Sequence, residues 1–226
     1  MDLKENPKSE ARNPKAASGA FTLIELLVVI TVIAILIALL FPAFQSVQDQ
    51  AKRTQSKNDL TQIVTAVNAF YTEYGKYPTT ATTDAGAKFG PGGVANSALF
   101  NELRAVSNVL NTRLIVFVSP PDVKDPNNPR SGIARNTTTI NGISVIPGDF
   151  VDPWGTPYSV AIDANYDNQV ANAYTDGSAG GDPNATPAYA LRIGVIAWSF
   201  GKDQTIGTKT PASSSYTNSD DVISWQ

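Results

Sequence analysis

The chain has 226 residues, 42% of them hydrophobic, and a formal charge of −3 from 17 basic and 20 acidic side chains. It contains no cysteine and no histidine. That removes disulfides, thiol chemistry, the commonest general base and the commonest transition-metal ligand, and it weighs against an enzyme. The acidic balance and the want of any Lys/Arg cluster argue against a nucleic-acid partner.

The apolar residues are unevenly spread. Residues 1–20 are polar and small, with Lys4, Lys8, Arg12 and Lys15 set against Asp2, Glu5 and Glu10. They lack the apolar core of an ordinary secretory signal, and their charge places them on the cytoplasmic side of a membrane. An apolar run from Phe21 to Phe41 follows, about the length a helix needs to span a bilayer. Within it stands Glu25, a carboxylate that costs a few kcal/mol at that depth and so needs a partner or a purpose.

No turn signal interrupts residues 21–74 except Pro42, so the pattern predicts one helix of roughly 80 Å, kinked or opened at the proline. Its second half, 45–75, is amphipathic: Leu60, Ile63, Val64, Val67, Phe70, Tyr71 and Tyr74 follow the spacing of one buried stripe. Gly75-Lys76-Tyr77-Pro78 supplies the stop. Residues 76–226 then form one small domain. A loop from Thr79 to Asn96 leads to a short helix from Ser97 to Val106. An apolar run at Leu114–Val118 and a proline-rich loop at Pro120–Pro129 come next. Three β-branched or aromatic runs, Ile143–Ile146, Tyr158–Ile162 and Ala190–Phe200, predict an antiparallel sheet. The fold class expected is therefore α+β, a long N-terminal helix packed on a small antiparallel sheet domain.

The segment Ala20-Phe21-Thr22-Leu23-Ile24-Glu25-Leu26-Leu27-Val28-Val29-Ile30 closely resembles the cleavage and N-methylation motif of type IV prepilins and pseudopilins. The resemblance implies cleavage between Ala20 and Phe21 by a prepilin peptidase, methylation of the new Phe21 amino group, and removal of residues 1–20. It departs from the family in carrying Ala20, not Gly, before the cut. It further implies that Glu25 faces the N-terminus of a neighbouring copy in a filament, and that the helix melts locally at Pro42 on assembly.

Two later segments resemble the major pseudopilin of type II secretion systems. Asp152-Pro153-Trp154-Gly155-Thr156-Pro157-Tyr158 reads as a tight turn feeding a strand, with Trp154 as a core anchor. Ser199-Phe200-Gly201-Lys202-Asp203, followed after a loop by Asp220-Asp221-Val222-Ile223-Ser224-Trp225, resembles that family's C-terminal calcium loop. Asp203, Asp220 and Asp221 are then the candidate metal ligands, in a loop (Gln204–Ser219) longer than is typical. Asp163-Ala164-Asn165-Tyr166-Asp167 alternates oxygen side chains like the start of an EF-hand. Asn168 stands where the glycine belongs and Tyr174 where the closing glutamate belongs, so it reads as turn chemistry.

The resemblance implies a filament subunit of a type II secretion system, held in the bacterial inner membrane by one pass with its domain in the periplasm. The partners implied are copies of itself, membrane lipid before assembly, the processing peptidase, an assembly platform and minor pseudopilins. The alternative is a surface pilus or competence-pilus subunit. A membrane-anchored hydrolase using Asp149 and Asp152 is a third reading, with no nucleophile motif to support it.

Overall fold

The computed structural model describes residues 22–209 and 212–226, the side chains of residues 42 and 43 excepted. The cleavage pair Ala20 and Phe21 lies outside the described residues. Helix α1 runs from Leu23 to Tyr74 and passes through Pro42 without a break. Gly75, at a φ of +67°, turns the chain out of the helix in the left-handed region that glycine enters at least cost.

The chain divides into two units, 1–46 and 47–226. In the first, every large apolar side chain described from Leu23 to Phe44 is exposed. The helix here is long and apolar enough to cross a membrane.

The second unit holds the core. Ten short strands are found among the described residues: β1 (Lys88–Phe89), β2 (Gly132–Ile133), β3 (Thr138–Ile140), β4 (Ile143–Val145), β5 (Phe150–Val151), β6 (Ser159–Ile162), β7 (Val195–Ser199), β8 (Thr208–Lys209), β9 (Ala212–Ser213) and β10 (Val222–Ile223). Four form the main sheet in the order β1-β6-β7-β10, with every pairing antiparallel. Leu60, Ile63, Val67 and Phe70 of α1 pack with Val160 and Ile162 of β6 and with Val195 and Ala197 of β7. Each such side chain contributes roughly 1.5–3 kcal/mol of burial. The alternate residues Ala161, Ile196 and Trp198 point the other way, into a second cluster with Val170, Tyr174, Ala179 and Leu191 from the long β6–β7 connection. The central strands are thus covered on both faces, which is why β6 and β7 are buried along their whole length and read as continuous apolar runs.

The layout is the α+β one expected, with corrections of detail. Ile143–Ile146 does not join the main sheet. Its Ile143–Val145 part pairs with β3 as a separate hairpin turned by Asn141-Gly142, at φ values of 47° and 80°. Of Ala190–Phe200, only Val195–Ser199 is strand. The loop expected from Thr79 to Asn96 contributes the edge strand β1, and the tail contributes β10 on the opposite edge. The helix expected at Ser97–Val106 is α2, Ser97–Leu103, and Ala105 at a φ of 60° turns the chain away beyond it.

Candidate functional site

The start of α1 carries a reciprocal cap. Glu25 Oε2 accepts hydrogen bonds from the Thr22 backbone N–H and hydroxyl, each at 2.8 Å, while Thr22 Oγ1 accepts from the Glu25 N–H at 3.2 Å. This is a capping box, which satisfies helix-start donors that have no intrahelical acceptor. The carboxylate in the apolar run therefore has a partner inside its own subunit. The Thr-x-x-Glu spacing ahead of an apolar run is the signal of this cap in the sequence.

The second site is built by two neighbouring turns. Asp152 is fully buried; its Oδ1 accepts the N–H groups of Trp154, Gly155 and Thr156 at 2.9, 2.7 and 2.9 Å. That geometry makes the Asp-Pro-Trp-Gly turn an Asx turn, with Trp154 buried in the main core as anticipated. Asp152 Oδ2 accepts the Ser199 hydroxyl at 2.5 Å, and Ser199 Oγ accepts the Gly201 N–H at 3.1 Å. The serine of Ser-Phe-Gly-Lys-Asp thus ties that loop to the earlier turn. Gly201 has a φ of +67°, and a Cβ there would strike the Asp220 carbonyl. Only glycine lets the two ends of the C-terminal loop lie this close.

That approach brings Asp203, Asp220 and Asp221 together, with one carboxylate oxygen from each inside 4.8 Å of the others. Each is held by one oxygen. Asp203 Oδ1 accepts the Thr205 N–H at 2.8 Å. Asp220 Oδ2 accepts the Lys202 N–H and, at 3.0 Å, the Asp203 N–H. Asp221 Oδ2 accepts the Tyr174 hydroxyl and the Gly207 N–H, both at 2.7 Å. Asp221 is 4% exposed, and its Oδ1 is buried with no donor among the described residues. Burial pushes the Asp221 carboxyl up to about 6, with the Tyr174 and Gly207 hydrogen bonds pulling against it. Asp203 is raised by burial and by the Asp220 charge beside it. An all-oxygen cluster with one orphaned, buried carboxylate oxygen matches what a hard divalent cation requires.

Two other carboxylate groups behave differently. Asp84 joins Asp163 and Asp167 within the same 4.8 Å limit. Both oxygens of the buried Asp163 are taken by backbone donors, Asp167 N–H at 3.1 Å and Asn168 N–H at 2.8 Å, so the segment is turn chemistry. Asp149, paired with Asp152 in the hydrolase reading, accepts the Ser97 N–H at 2.8 Å to start α2 and the Ile146 N–H at 2.9 Å. Both carboxylates of that pair hold backbone turns.

A family model described as the prokaryotic N-terminal methylation motif matches residues 15–41. No curated protein and no solved structure matches the chain. The matched motif, with a long apolar helix leading into an α+β domain, supports a type IV pilin-like protein. It implies processing by a prepilin peptidase and pilus-like assembly, and a protein anchored in a membrane by the helix behind the motif.

Proposed function

We propose that this chain is a filament-forming pseudopilin of a type II secretion system, not an enzyme. It waits in the inner membrane with its domain in the periplasm, is cut before Phe21 and methylated there, and is stacked with copies of itself on an assembly platform alongside minor pseudopilins. The observation that favours secretion over a surface pilus is the linkage Asp152–Ser199–Gly201. It joins the two segments that resemble major pseudopilins and sets the three carboxylates side by side.

Calcium is the ion assigned to Asp203, Asp220 and Asp221, because the donors are oxygens alone and one of them, Asp221 Oδ1, is buried without a partner among the described residues. Bound there, the ion would offset the repulsion of three carboxylates and close the Gln204–Ser219 loop in a chain that has no disulfide to do so.

The test compares the extracellular proteome and surface fibres of a strain lacking the gene with those of its parent. Loss of several secreted proteins with fibres intact is expected. An intact secretome with lost fibres, adhesion or DNA uptake would overturn the secretion reading in favour of a pilus.

A further inference from the structure

Tyr174 lies far from the carboxylate loop in sequence, in the connection between β6 and β7, yet it is fully buried against that loop. Its hydroxyl donates to Asp221 Oδ2 at 2.7 Å. Its ring stands edge-on to Tyr216, with centroids 5.1 Å apart, and lies 6.2 Å from Trp225. Its backbone is fixed too: Asn172 Oδ1 accepts the Tyr174 N–H at 3.0 Å, and Asn172 Nδ2 donates to the Gly180 carbonyl at 2.9 Å. Trp225 Nε1 donates to the Ala179 carbonyl at 2.7 Å, binding the same connection to the chain end. The phenol is therefore held at both ring and backbone, and its O–H is a rigid donor aimed at one carboxylate oxygen.

We propose that Tyr174 is a positioning residue for the cation site: by pinning Asp221 Oδ2 it turns Oδ1, the oxygen with no donor among the described residues, toward Asp203 and Asp220. The inference rests on the calcium reading above and extends it, since the site then belongs to two loops. A carboxylate held by the Gly207 N–H alone can swing about its terminal bond and present either oxygen. With Tyr174 in place it presents one, and the reorientation has already been done before the ion arrives. Outer hydrogen-bond partners of this kind typically change metal affinity about 10- to 100-fold when removed. The residue that falls where an EF-hand would close its own loop serves a different loop instead.

The experiment titrates the full chain in detergent micelles with calcium chloride by calorimetry, and with terbium by sensitised luminescence, for the parent, Tyr174→Phe and Tyr216→Phe. Tyr174→Phe keeps the ring and its packing, so the melting temperature in chelator should stay within a few degrees of the parent. Calcium affinity should fall about 10- to 100-fold, and terbium affinity with it. Tyr216→Phe removes a neighbouring hydroxyl that donates to no carboxylate among the described residues, and should leave affinity unchanged. Asn172→Ala, which loosens the Tyr174 backbone but keeps the phenol, should weaken binding by a smaller factor. It also serves as the reading should Tyr174→Phe fail to fold in chelator. Parent-like calcium affinity in Tyr174→Phe, or in Asn172→Ala where that stands in for it, overturns the inference and leaves the calcium reading standing. A parent chain that does not respond to calcium overturns both.

Discussion

Asp152 ties two separate turns of the domain together through one buried carboxylate. Four donors converge on a carboxylate that is fully buried: three turn amides on one oxygen and the Ser199 hydroxyl on the other. Asp152→Ala leaves those donors without an acceptor, and each unsatisfied buried group costs about 1–3 kcal/mol. Allowing for water entering the gap, we expect a loss of about 3 kcal/mol, which for a chain of this size lowers the melting temperature by about 10 °C. Asp152→Asn should be nearly neutral at neutral pH, because the amide oxygen can serve the three N–H groups while its NH₂ turns to Ser199, which can accept. The pair also separates charge from shape. Burial raises the Asp152 carboxyl from 3.8 to about 6, the hydrogen bonds opposing it. The folded chain thus holds this proton more tightly than the unfolded chain. The residue's contribution favours folding most below about pH 4, declines as pH rises to about 6, and is flat above that. Thermal melts in chelator should therefore fall less steeply between those pH values in Asp152→Asn than in the parent. An identical slope would mean that the carboxyl titrates near its ordinary value in the fold.

At the level of elements, what was legible depended on length. The stripe on α1 could be read because four turns of helix repeat one signal, and Leu60, Ile63, Val67 and Phe70 are all fully buried. The same rhythm also named Tyr71, which is 40% exposed and stacks on Tyr77 at the edge of the core. Phe70→Ala should accordingly cost about 3–5 kcal/mol and Tyr71→Ala no more than about 1 kcal/mol, read as the shift in thermal melting. Equal losses would mean that the stripe is buried on a wider arc than the structure gives. Strands β6 and β7 were legible as apolar runs, whereas β1 and β10 are two residues each, too short for any period to register. Their place in the sheet comes from pairing with distant partners. The β3–β4 hairpin did have a local signal: Asn141-Gly142 is the dipeptide that suits a tight turn with two positive φ values. The candidate site divides in the same way. Asp203, Asp220 and Asp221 could be named from a motif, and so could the serine and glycine before them. Tyr174 could not, because it reaches Asp221 across 47 residues through the packing of a connection that has no period of its own.

For the whole molecule, the deciding residue is Glu25, since it offers two accounts of why an apolar helix carries a carboxylate. In the single subunit it closes a capping box with Thr22, a role that needs an acceptor but not a charge. In a filament it would meet the cationic N-terminus of a neighbouring copy, a role that needs the charge. A carboxylate at that depth costs a few kcal/mol, so a neutral side chain would be the better cap if capping were all. Glu25→Gln keeps an oxygen that can accept from Thr22 and removes the charge, whereas Glu25→Ala removes both. We expect both variants to reach the membrane and to be cleaved at the normal rate, because the proposed cut lies on the other side of Phe21. We also expect Glu25→Gln to assemble as poorly as Glu25→Ala, with sheared filaments reduced at least tenfold relative to the membrane pool when the two fractions are quantified by immunoblot. Assembly of Glu25→Gln at the parental level, with Glu25→Ala defective, would reduce Glu25 to a helix cap, and subunit register would then have to come from the shape of the apolar face alone. The charge-dependent outcome instead makes assembly an exchange of partners. The carboxylate leaves Thr22 for the incoming N-terminus, so a subunit that has not been cleaved, and has no free amino group at Phe21, has nothing to offer its neighbour and stays in the membrane.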